Sequence, residues 1–216
     1  MKRLIIYDLD GTLVDTGQDI TNAVNHMLAQ LGRPPLDRPA VERYVGYGME
    51  QLIIRCLPDV GADDRQRAIA IYRAHYGEHL TDTSRLYPGA LDVLQHFASR
   101  IQVVLTNKPD PHSTQLLTAL GVAGRFADII AGNSGYPKKP DPASLLALLA
   151  KHRAEPGQAL FMGDSAVDIE TSRRAGVMSV AVAHGLTPRS ELETAAPDHL
   201  VADFAEFLDV ARREQW

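Results

Sequence analysis

Short apolar runs alternate along the chain with stretches in which apolar residues recur at helical spacing. The apolar runs occupy residues 4–7, 101–105, 129–130, 160–162 and 178–182. Each is continuous and bounded by polar residues or glycine, which is typical of strands buried on both faces of a parallel sheet. The helical patterns between them occupy residues 90–99, 111–120 and 143–152. The alternation predicts an α/β fold with a doubly wound, Rossmann-like parallel sheet.

Residues 17–85 interrupt this alternation, because they contain helical patterns and no convincing strand. One predicted helix carries an apolar stripe with three- and four-residue spacing. Its members are Ile20, Ala23, Val24, Met27, Leu28 and Leu31. Further helical patterns lie near 49–56 and 64–79. We therefore predict an α/β core formed by residues 1–16 and 86–216, and an inserted helical cap, residues 17–85, over the carboxyl edge of the sheet.

Polar side chains follow three of the predicted strands at the point where each strand ends. Asp8 and Asp10 follow the first strand, Thr106 and Asn107 follow the second, and Asp164 follows the run at 160–162. In open α/β sheets, ligands bind at the carboxyl ends of the strands. Each motif alone has an ordinary explanation as a turn or helix cap. Their occurrence together, each after a predicted strand, favours one shared site.

The predicted site is rich in carboxylates, which oppose one another's ionisation unless a cation lies among them. Oxygen ligands suit a hard cation, and Mg²⁺ is the usual choice beside phosphate. Lys139 lies between prolines in the run Lys138-Lys139-Pro140-Asp141-Pro142, so a stiff turn presents it. Its ammonium and the Thr106 hydroxyl are suitable donors to a phosphoryl group. These residue types together indicate chemistry on a phosphate ester.

Composition narrows the classes of function further. The 216 residues are 45% hydrophobic and 23% charged, as in an ordinary globular protein. The formal net charge of -5 argues against a broad basic surface for nucleic acid. No stretch approaches the ~20 apolar residues of a membrane span, and the single cysteine, Cys56, fits a reducing compartment. We expect a cytoplasmic protein with no nucleic-acid or membrane partner.

The histidines show no spacing typical of metal ligands. We therefore expect them to be surface or cap residues. The ones considered are His26, His75, His112 and His184.

The polar motifs resemble, in chain order, the four signatures of the haloacid dehalogenase superfamily of phosphatases. The matching segments are the run Asp8-Leu9-Asp10-Gly11-Thr12-Leu13-Val14-Asp15-Thr16, the run Thr106-Asn107-Lys108-Pro109, the run Lys139-Pro140-Asp141-Pro142, and Gly163-Asp164-Ser165 with Asp168. The resemblance spans nearly the whole chain. It implies the predicted α/β core with its helical cap.

The resemblance also implies roles for individual residues. Asp8 would attack phosphorus and form an aspartyl-phosphate, and Asp10 would protonate the leaving oxygen and then activate water. Mg²⁺ would be held by Asp8, the Asp10 backbone carbonyl and Asp164, with Asp168 in support. The residues expected to bind substrate are Gly11, Thr106, Asn107 and Lys139 in the core, and Gly46, Tyr47 and Gly48 in the cap.

Within this superfamily the chain looks most like the phosphoglycolate phosphatases. The run Tyr44-Val45-Gly46-Tyr47-Gly48-Met49 resembles their cap, where two glycines let the backbone approach a substrate. The implied substrate is a small phosphorylated metabolite, most simply 2-phosphoglycolate, acted on by a monomer or homodimer. Arg43 is a candidate contact for a substrate carboxylate, although an exposed cap arginine fits its position equally well.

Other functions fit the same motifs. A β-phosphoglucomutase-like isomerase shares Asp8 and Asp10 but returns the phosphoryl group to its product. A pyrophosphatase or nucleotidase of the same superfamily would differ only in cap residues. A non-catalytic binding module would be expected to lack one of Asp8, Asp10, Lys139 or Asp164, and all four are present. The dehalogenases for which the superfamily is named look different at the position of Asp10, so the resemblance favours phosphate chemistry over carbon–halogen chemistry.

Overall fold

The computed structural model describes residues 1–216, which form eight strands and ten α-helices. The strands are β1 (Leu4–Tyr7), β2 (Val14–Asp15), β3 (Arg85–Leu86), β4 (Ile101–Leu105), β5 (Asp128–Ile130), β6 (Ala159–Gly163), β7 (Met178–Val182) and β8 (His199–Val201). The helices are α1 (Gly17–Gln30), α2 (Arg38–Glu42), α3 (Met49–Cys56), α4 (Ala62–Glu78), α5 (Ala90–His96), α6 (His112–Ala119), α7 (Ala143–Lys151), α8 (Ala166–Ala175), α9 (Arg189–Ala195) and α10 (Phe204–Arg213). None of the helices is both long and apolar enough to cross a membrane.

Six strands form one parallel sheet in the order β5-β4-β1-β6-β7-β8. Strand β1 lies between β4 and β6, and Tyr7 is in register with Val104 on one side and Met162 on the other. The carboxyl ends of these three strands therefore meet at one place on the sheet edge. The predicted α/β fold with a doubly wound parallel sheet is confirmed.

Strand β1 shows why the sheet is covered on both faces. Its four residues are fully buried, and alternate side chains point to opposite faces. Leu4 and Ile6 belong to a cluster of 12 buried residues that includes side chains of α7. Ile5 and Tyr7 belong to a cluster of 39 buried residues. Because both faces are covered, the apolar runs are continuous rather than alternating.

Helices α1 to α4, called here the four-helix segment (residues 17–78), lie between β2 and β3 in the chain. Five of the six predicted stripe residues of α1 are buried, and Leu31 packs partly buried beyond its end. The predicted helices near 49–56 and 64–79 correspond to α3 and α4. Helix α2 was not anticipated; the Asp37 side chain caps it and Pro39 lies in its first turn.

The chain enters and leaves the four-helix segment through a short antiparallel ribbon. Val14 pairs with Leu86 and Asp15 pairs with Arg85, which joins β2 to β3. Neither strand of this ribbon was predicted, because a two-residue strand has no periodicity to detect. The ribbon places both connections side by side, next to the site described below.

Asp19 fastens the start of α1 to the chain that returns towards the sheet. Its carboxylate is buried and accepts hydrogen bonds from the backbone N–H and hydroxyl groups of Thr83 and Ser84, at 2.6 to 3.0 Å. Burial opposes the charged form, but these donors outweigh it and lower the pKa of Asp19 below its ordinary 3.8.

We expect Asp19→Ala to lower the free energy of unfolding by about 2–3 kcal/mol at neutral pH, since it leaves buried donors without an acceptor. Because the folded-state pKa is depressed, the contribution is present above the unfolded-state pKa and is lost as pH falls through the folded value. Urea unfolding at neutral pH and below about pH 4 measures both effects. Asp59→Ala, at an exposed turn, is the control. A loss equal to that of the control would contradict the prediction.

Candidate active site

Asp8 lies immediately after β1, at the centre of the sheet edge. Its backbone N–H continues the ladder by donating to the Met162 carbonyl at 2.8 Å. The side chain is buried, and Oδ1 lies 2.8 Å from Lys139 Nζ without accepting a well-directed hydrogen bond. Burial raises the pKa of Asp8 to about 7, with Lys139 opposing the rise and the Asp168 carboxylate adding to it. The Asp8 carboxyl is therefore held in a water-poor setting beside one fixed cation.

Lys139 is the positive centre of the site. Its Nζ donates to Asp168 Oδ1 at 2.6 Å and to the Leu105 carbonyl at 3.1 Å, and it also lies beside Asp8. Burial disfavours the ammonium, but the carboxylates of Asp168 and Asp8 outweigh burial and raise the pKa of Lys139 to about 12. The ammonium is therefore charged at neutral pH, and its contacts fix its direction.

Asp164 and Asp168 complete a cluster of buried carboxylates. Asp164 accepts hydrogen bonds from the Thr12 hydroxyl at 2.9 Å and from the Leu186 N–H at 2.8 Å. Its pKa is raised, first by burial and then by the charges of Asp168 and Asp8. Oxygen atoms of Asp8, Asp164 and Asp168 all lie within 4.8 Å of one another.

Three glycines leave the space that these carboxylates occupy. A Cβ at Gly11 would lie 2.2 Å from Asp164 Oδ2, and one at Gly185 would lie 2.3 Å from Asp164 Cβ. A Cβ at Gly163 would lie 2.3 Å from Asp168 Cβ. Gly11 also has φ +80°, which other residues rarely adopt. The backbone is thus built around the carboxylates; the sequence predicted a role for Gly11 but not for Gly185.

The donor set fits a hard divalent cation. It consists of carboxylate oxygens and places three buried acids against the single ammonium of Lys139. Asp8 Oδ1 accepts no well-directed hydrogen bond. Oxygen ligands of this kind are those that Mg²⁺ and Ca²⁺ prefer. The buried aspartate cluster is therefore able to bind a metal ion.

Asp10 lies beside this cluster, and its side chain is 11% exposed. Its Oδ1 accepts hydrogen bonds from the Thr16 hydroxyl and from Lys108 Nζ, both at 2.8 Å. Lys108 Nζ donates a second hydrogen bond, at 2.6 Å, to the Tyr76 hydroxyl of α4. Lys108 lies inside the second motif, but the motif alone did not predict a role for it.

Thr106 and Asn107 follow β4 and are buried. The Thr106 hydroxyl accepts from the Lys108 N–H at 3.1 Å. The Asn107 side chain donates to the Gly46 carbonyl at 2.8 Å and to the Lys139 carbonyl at 3.0 Å, and accepts from the Lys139 N–H at 2.9 Å. Asn107 therefore ties the four-helix segment to the loop that carries Lys139.

A cavity lies between the four-helix segment and this edge of the sheet. Its floor is polar and its roof is largely apolar. The floor residues are Asp8, Asp10, Thr106, Asn107 and Lys108, and the apolar roof residues are Ile20, Val45, Met49 and Leu52. Such a covered cavity suits a small polar ligand and limits access of water.

The cap residues expected to bind substrate divide into two groups. Gly46 and Gly48 line the cavity with φ +101° and +87°. Tyr47 does not line it; its exposed ring faces outwards, with the Arg55 guanidinium 4.1 Å from the ring centroid. Tyr47, Arg55 and Arg43 line a separate outer groove, where the guanidinium of Arg55 makes a cation–π contact with the Tyr47 ring. The structure thus places Tyr47 and Arg43 away from the cavity.

The expectation for two of the histidines was wrong. His112 is buried at the start of α6 and lines the cavity, and burial, followed by the charge of Lys108, lowers its pKa. His184 is half-buried, and its Nε2 lies 3.1 Å from the Thr12 carbonyl. Both belong to the α/β core rather than to the surface or the cap. Their positions depend on how the chain folds, which the spacing of histidines in the sequence does not show. His26 and His75 stack at 4.0 Å within the four-helix segment, as expected for cap residues.

Comparison with known proteins places this site in a family. A family model described as haloacid dehalogenase-like hydrolase matches residues 5–182. The chain belongs to this family. It is an enzyme, a hydrolase of the phosphatase type.

The similar proteins point to one subgroup. A phosphoglycolate phosphatase of Rhodospirillum rubrum is 38% identical over 97% of this chain and 90% of its own length. One of Pseudomonas putida is 33% identical over 96% of this chain and 79% of its own length. The crystal structure of a predicted phosphoglycolate phosphatase from Haemophilus somnus superimposes with a TM-score of 0.93 at 31% identity, covering 97% of this chain and 98% of that one.

Proposed function

We propose that the chain is a Mg²⁺-dependent phosphatase that hydrolyses 2-phosphoglycolate through an aspartyl-phosphate at Asp8. The observation that carries the proposal is the buried Asp8 Oδ1, which accepts no well-directed hydrogen bond and forms an ion pair with the Lys139 ammonium at the floor of a small covered cavity. The names of the similar proteins support the choice of substrate.

The first step transfers the phosphoryl group to the protein. A carboxylate oxygen of Asp8 attacks phosphorus, the bond between phosphorus and the ester oxygen breaks, and the leaving oxygen takes a proton from Asp10. Lys139 and Thr106 donate hydrogen bonds to the phosphoryl oxygens as charge develops on them. A bound Mg²⁺, held by Asp8, Asp164, the Asp10 carbonyl and Asp168 in support, would offset the repulsion between nucleophile and substrate.

The second step regenerates Asp8. Asp10, now a carboxylate, accepts a proton from a water molecule, whose oxygen attacks phosphorus of the aspartyl-phosphate. The bond between phosphorus and the Asp8 oxygen breaks, and inorganic phosphate leaves. One residue thus acts as acid and then as base, and the covalent intermediate divides a difficult hydrolysis into two easier reactions.

Residues 17–85 act in this proposal as a cap, with residues 1–16 and 86–216 as the core. The two-residue ribbon and the Asn107 hydrogen bond to Gly46 are the connections that would open and close the cavity. Closure would exclude bulk water from the aspartyl-phosphate and restrict substrates to small ones.

The proposed function is tested by phosphate release from a panel of compounds, with and without Mg²⁺. The panel contains 2-phosphoglycolate, glucose 1-phosphate, pyrophosphate and a nucleoside monophosphate. We expect Mg²⁺-dependent release that is fastest with 2-phosphoglycolate. Isomerised sugar phosphate without free phosphate would support a mutase instead, and Mg²⁺ binding without turnover of any compound would support a binding module.

We expect stabilisation by Mg²⁺ to increase with pH. The folded-state pKa of Asp8, about 7, lies above its ordinary 3.8, so Asp8 stabilises the metal-free fold below the unfolded value and loses that effect as pH rises towards 7. Metal binding requires the deprotonated carboxylates, so it competes with protons in the same range. The rise in Tm caused by Mg²⁺ should be larger at about pH 7.5 than at about pH 5.5. Equal shifts at both pH values would contradict this.

A further inference from the structure

Lys108 is a buried cation that the reaction steps above do not use. Its side chain is 5% exposed, and Nζ contacts Asp10 at 2.8 Å and the Tyr76 hydroxyl at 2.6 Å. An ammonium has three N–H donors, so one remains for another acceptor. Lys108 lines the cavity, whereas the Lys139 ammonium, which the proposed reaction uses for the phosphoryl group, contacts Asp8, Asp168 and the Leu105 carbonyl.

Lys108 is also the only cation on the cavity wall. Arg43 belongs to the outer groove, and Arg73 and Lys138 line a neighbouring opening. His112 lines the cavity, but burial and the charge of Lys108 lower its pKa, which favours the neutral ring. A second negative charge on a substrate in this cavity therefore has one cationic partner available.

The contact with Asp10 fixes where that second charge has to lie. In the proposed reaction the leaving oxygen lies against the Asp10 carboxyl, and Lys108 Nζ is one hydrogen bond away from the same carboxyl. An anionic group that reaches Lys108 must therefore be only a few bonds from the ester oxygen. A carboxylate on the adjacent carbon meets this condition, because its carboxyl carbon is two bonds from that oxygen. A longer chain would carry the charge towards the apolar roof.

We propose that Lys108 is a specificity-determining residue that binds a substrate carboxylate on the carbon next to the ester oxygen, with the Tyr76 hydroxyl orienting its ammonium. The inference rests on the proposed function and names the group that selects its substrate. Tyr76 belongs to α4, so this recognition is complete only when the four-helix segment covers the sheet edge.

The first test compares kcat/KM for 2-phosphoglycolate and for ethyl phosphate, which lacks the carboxylate. Lys108→Met should reduce kcat/KM for the carboxylate ester about 10- to 100-fold more than for ethyl phosphate, as expected for losing one charge-assisted hydrogen bond. Tyr76→Phe should lower the ratio of kcat/KM for 2-phosphoglycolate to kcat/KM for ethyl phosphate in the same direction, but by a smaller factor. Lys138→Met removes a nearby lysine outside the cavity and should leave the ratio unchanged. Equal losses with both esters in Lys108→Met would overturn the proposal and leave Lys108 as a partner of Asp10 only.

The second test measures binding without turnover. 3-Phosphonopropionate replaces the ester oxygen of 2-phosphoglycolate by a methylene group, and propylphosphonate also lacks the carboxylate. In calorimetry with Mg²⁺, the wild type should bind the first about 10- to 100-fold more tightly, and Lys108→Met should lose that preference. If this preference appears but no ester is hydrolysed, the proposed function fails and the assignment of Lys108 stands. If the wild type shows no preference, the assignment fails whatever the turnover.

Discussion

Asp8→Asn should abolish phosphatase activity while leaving the fold intact. The amide has nearly the shape of the carboxyl but is not a nucleophile, so no aspartyl-phosphate forms. Loss of a nucleophile in comparable enzymes costs several orders of magnitude, and we expect kcat to fall at least about 10⁴-fold. Phosphate release under saturating substrate and Mg²⁺ measures the effect.

The structure also predicts what Asp8→Asn does to stability. Asp8 is buried beside Asp168 and Asp164, and its raised pKa shows that the charged form is disfavoured in the metal-free protein. A neutral amide removes that repulsion, so the Tm without Mg²⁺ should not decrease, and the gain on adding Mg²⁺ should shrink. Asp209→Asn, 74% exposed on α10, is the matched control and should keep full activity. Turnover by Asp8→Asn within about tenfold of wild type would remove Asp8 as the nucleophile.

Lys139→Met should impair both stability and catalysis. The substitution leaves Asp8 and Asp168 buried without the ammonium that lies 2.8 and 2.6 Å from them. Breaking a buried ion pair by removing one partner costs about 3–5 kcal/mol, which urea unfolding of the metal-free protein would measure. We expect kcat/KM to fall about 10³-fold, because the phosphoryl group loses its fixed cation.

A double mutant separates the two effects of Lys139. Asp168→Asn removes the charge that Lys139→Met leaves unpaired, so the double mutant should regain much of the lost stability. It should not regain activity, because the phosphoryl group still lacks an ammonium. Lys138→Met, the adjacent lysine at the protein surface, is the control for both measurements. A double mutant no more stable than Lys139→Met would show that the Lys139–Asp168 pair is not the source of the loss.

The sequence was most informative where a pattern is long or a motif is dense. Strands β1, β4, β5, β6 and β7 were predicted from continuous apolar runs, and α1 from its stripe, because burial on a sheet or helix face imposes those patterns. Strand β8 has three residues and begins with His199, so it has no apolar run to detect. The β2–β3 ribbon was also missed, because each of its strands has only two residues.

The site was predictable as a set of residues but not as a set of contacts. The motifs named Asp8, Asp164 and Lys139 because the chemistry needs those residue types at strand ends. The role of Lys108 depends on the Tyr76 hydroxyl, which reaches it only through the packing of α4 over the sheet. Tyr47 shows the reverse case, since its contact with Arg55 turns it away from the cavity. Contacts between the four-helix segment and the sheet depend on long-range packing that no local pattern encodes.

In the proposed mechanism Asp8 carries the phosphoryl group during turnover. The most direct measurement is a rapid acid quench with 2-phosphoglycolate and Mg²⁺, followed by borohydride reduction and mass spectrometry of the peptide that contains residue 8. Borohydride reduces an acyl phosphate to an alcohol, so we expect homoserine at position 8 in quenched wild-type protein, and none without substrate or in Asp8→Asn. Active turnover with no modification at residue 8, or with the label on another residue, would contradict it.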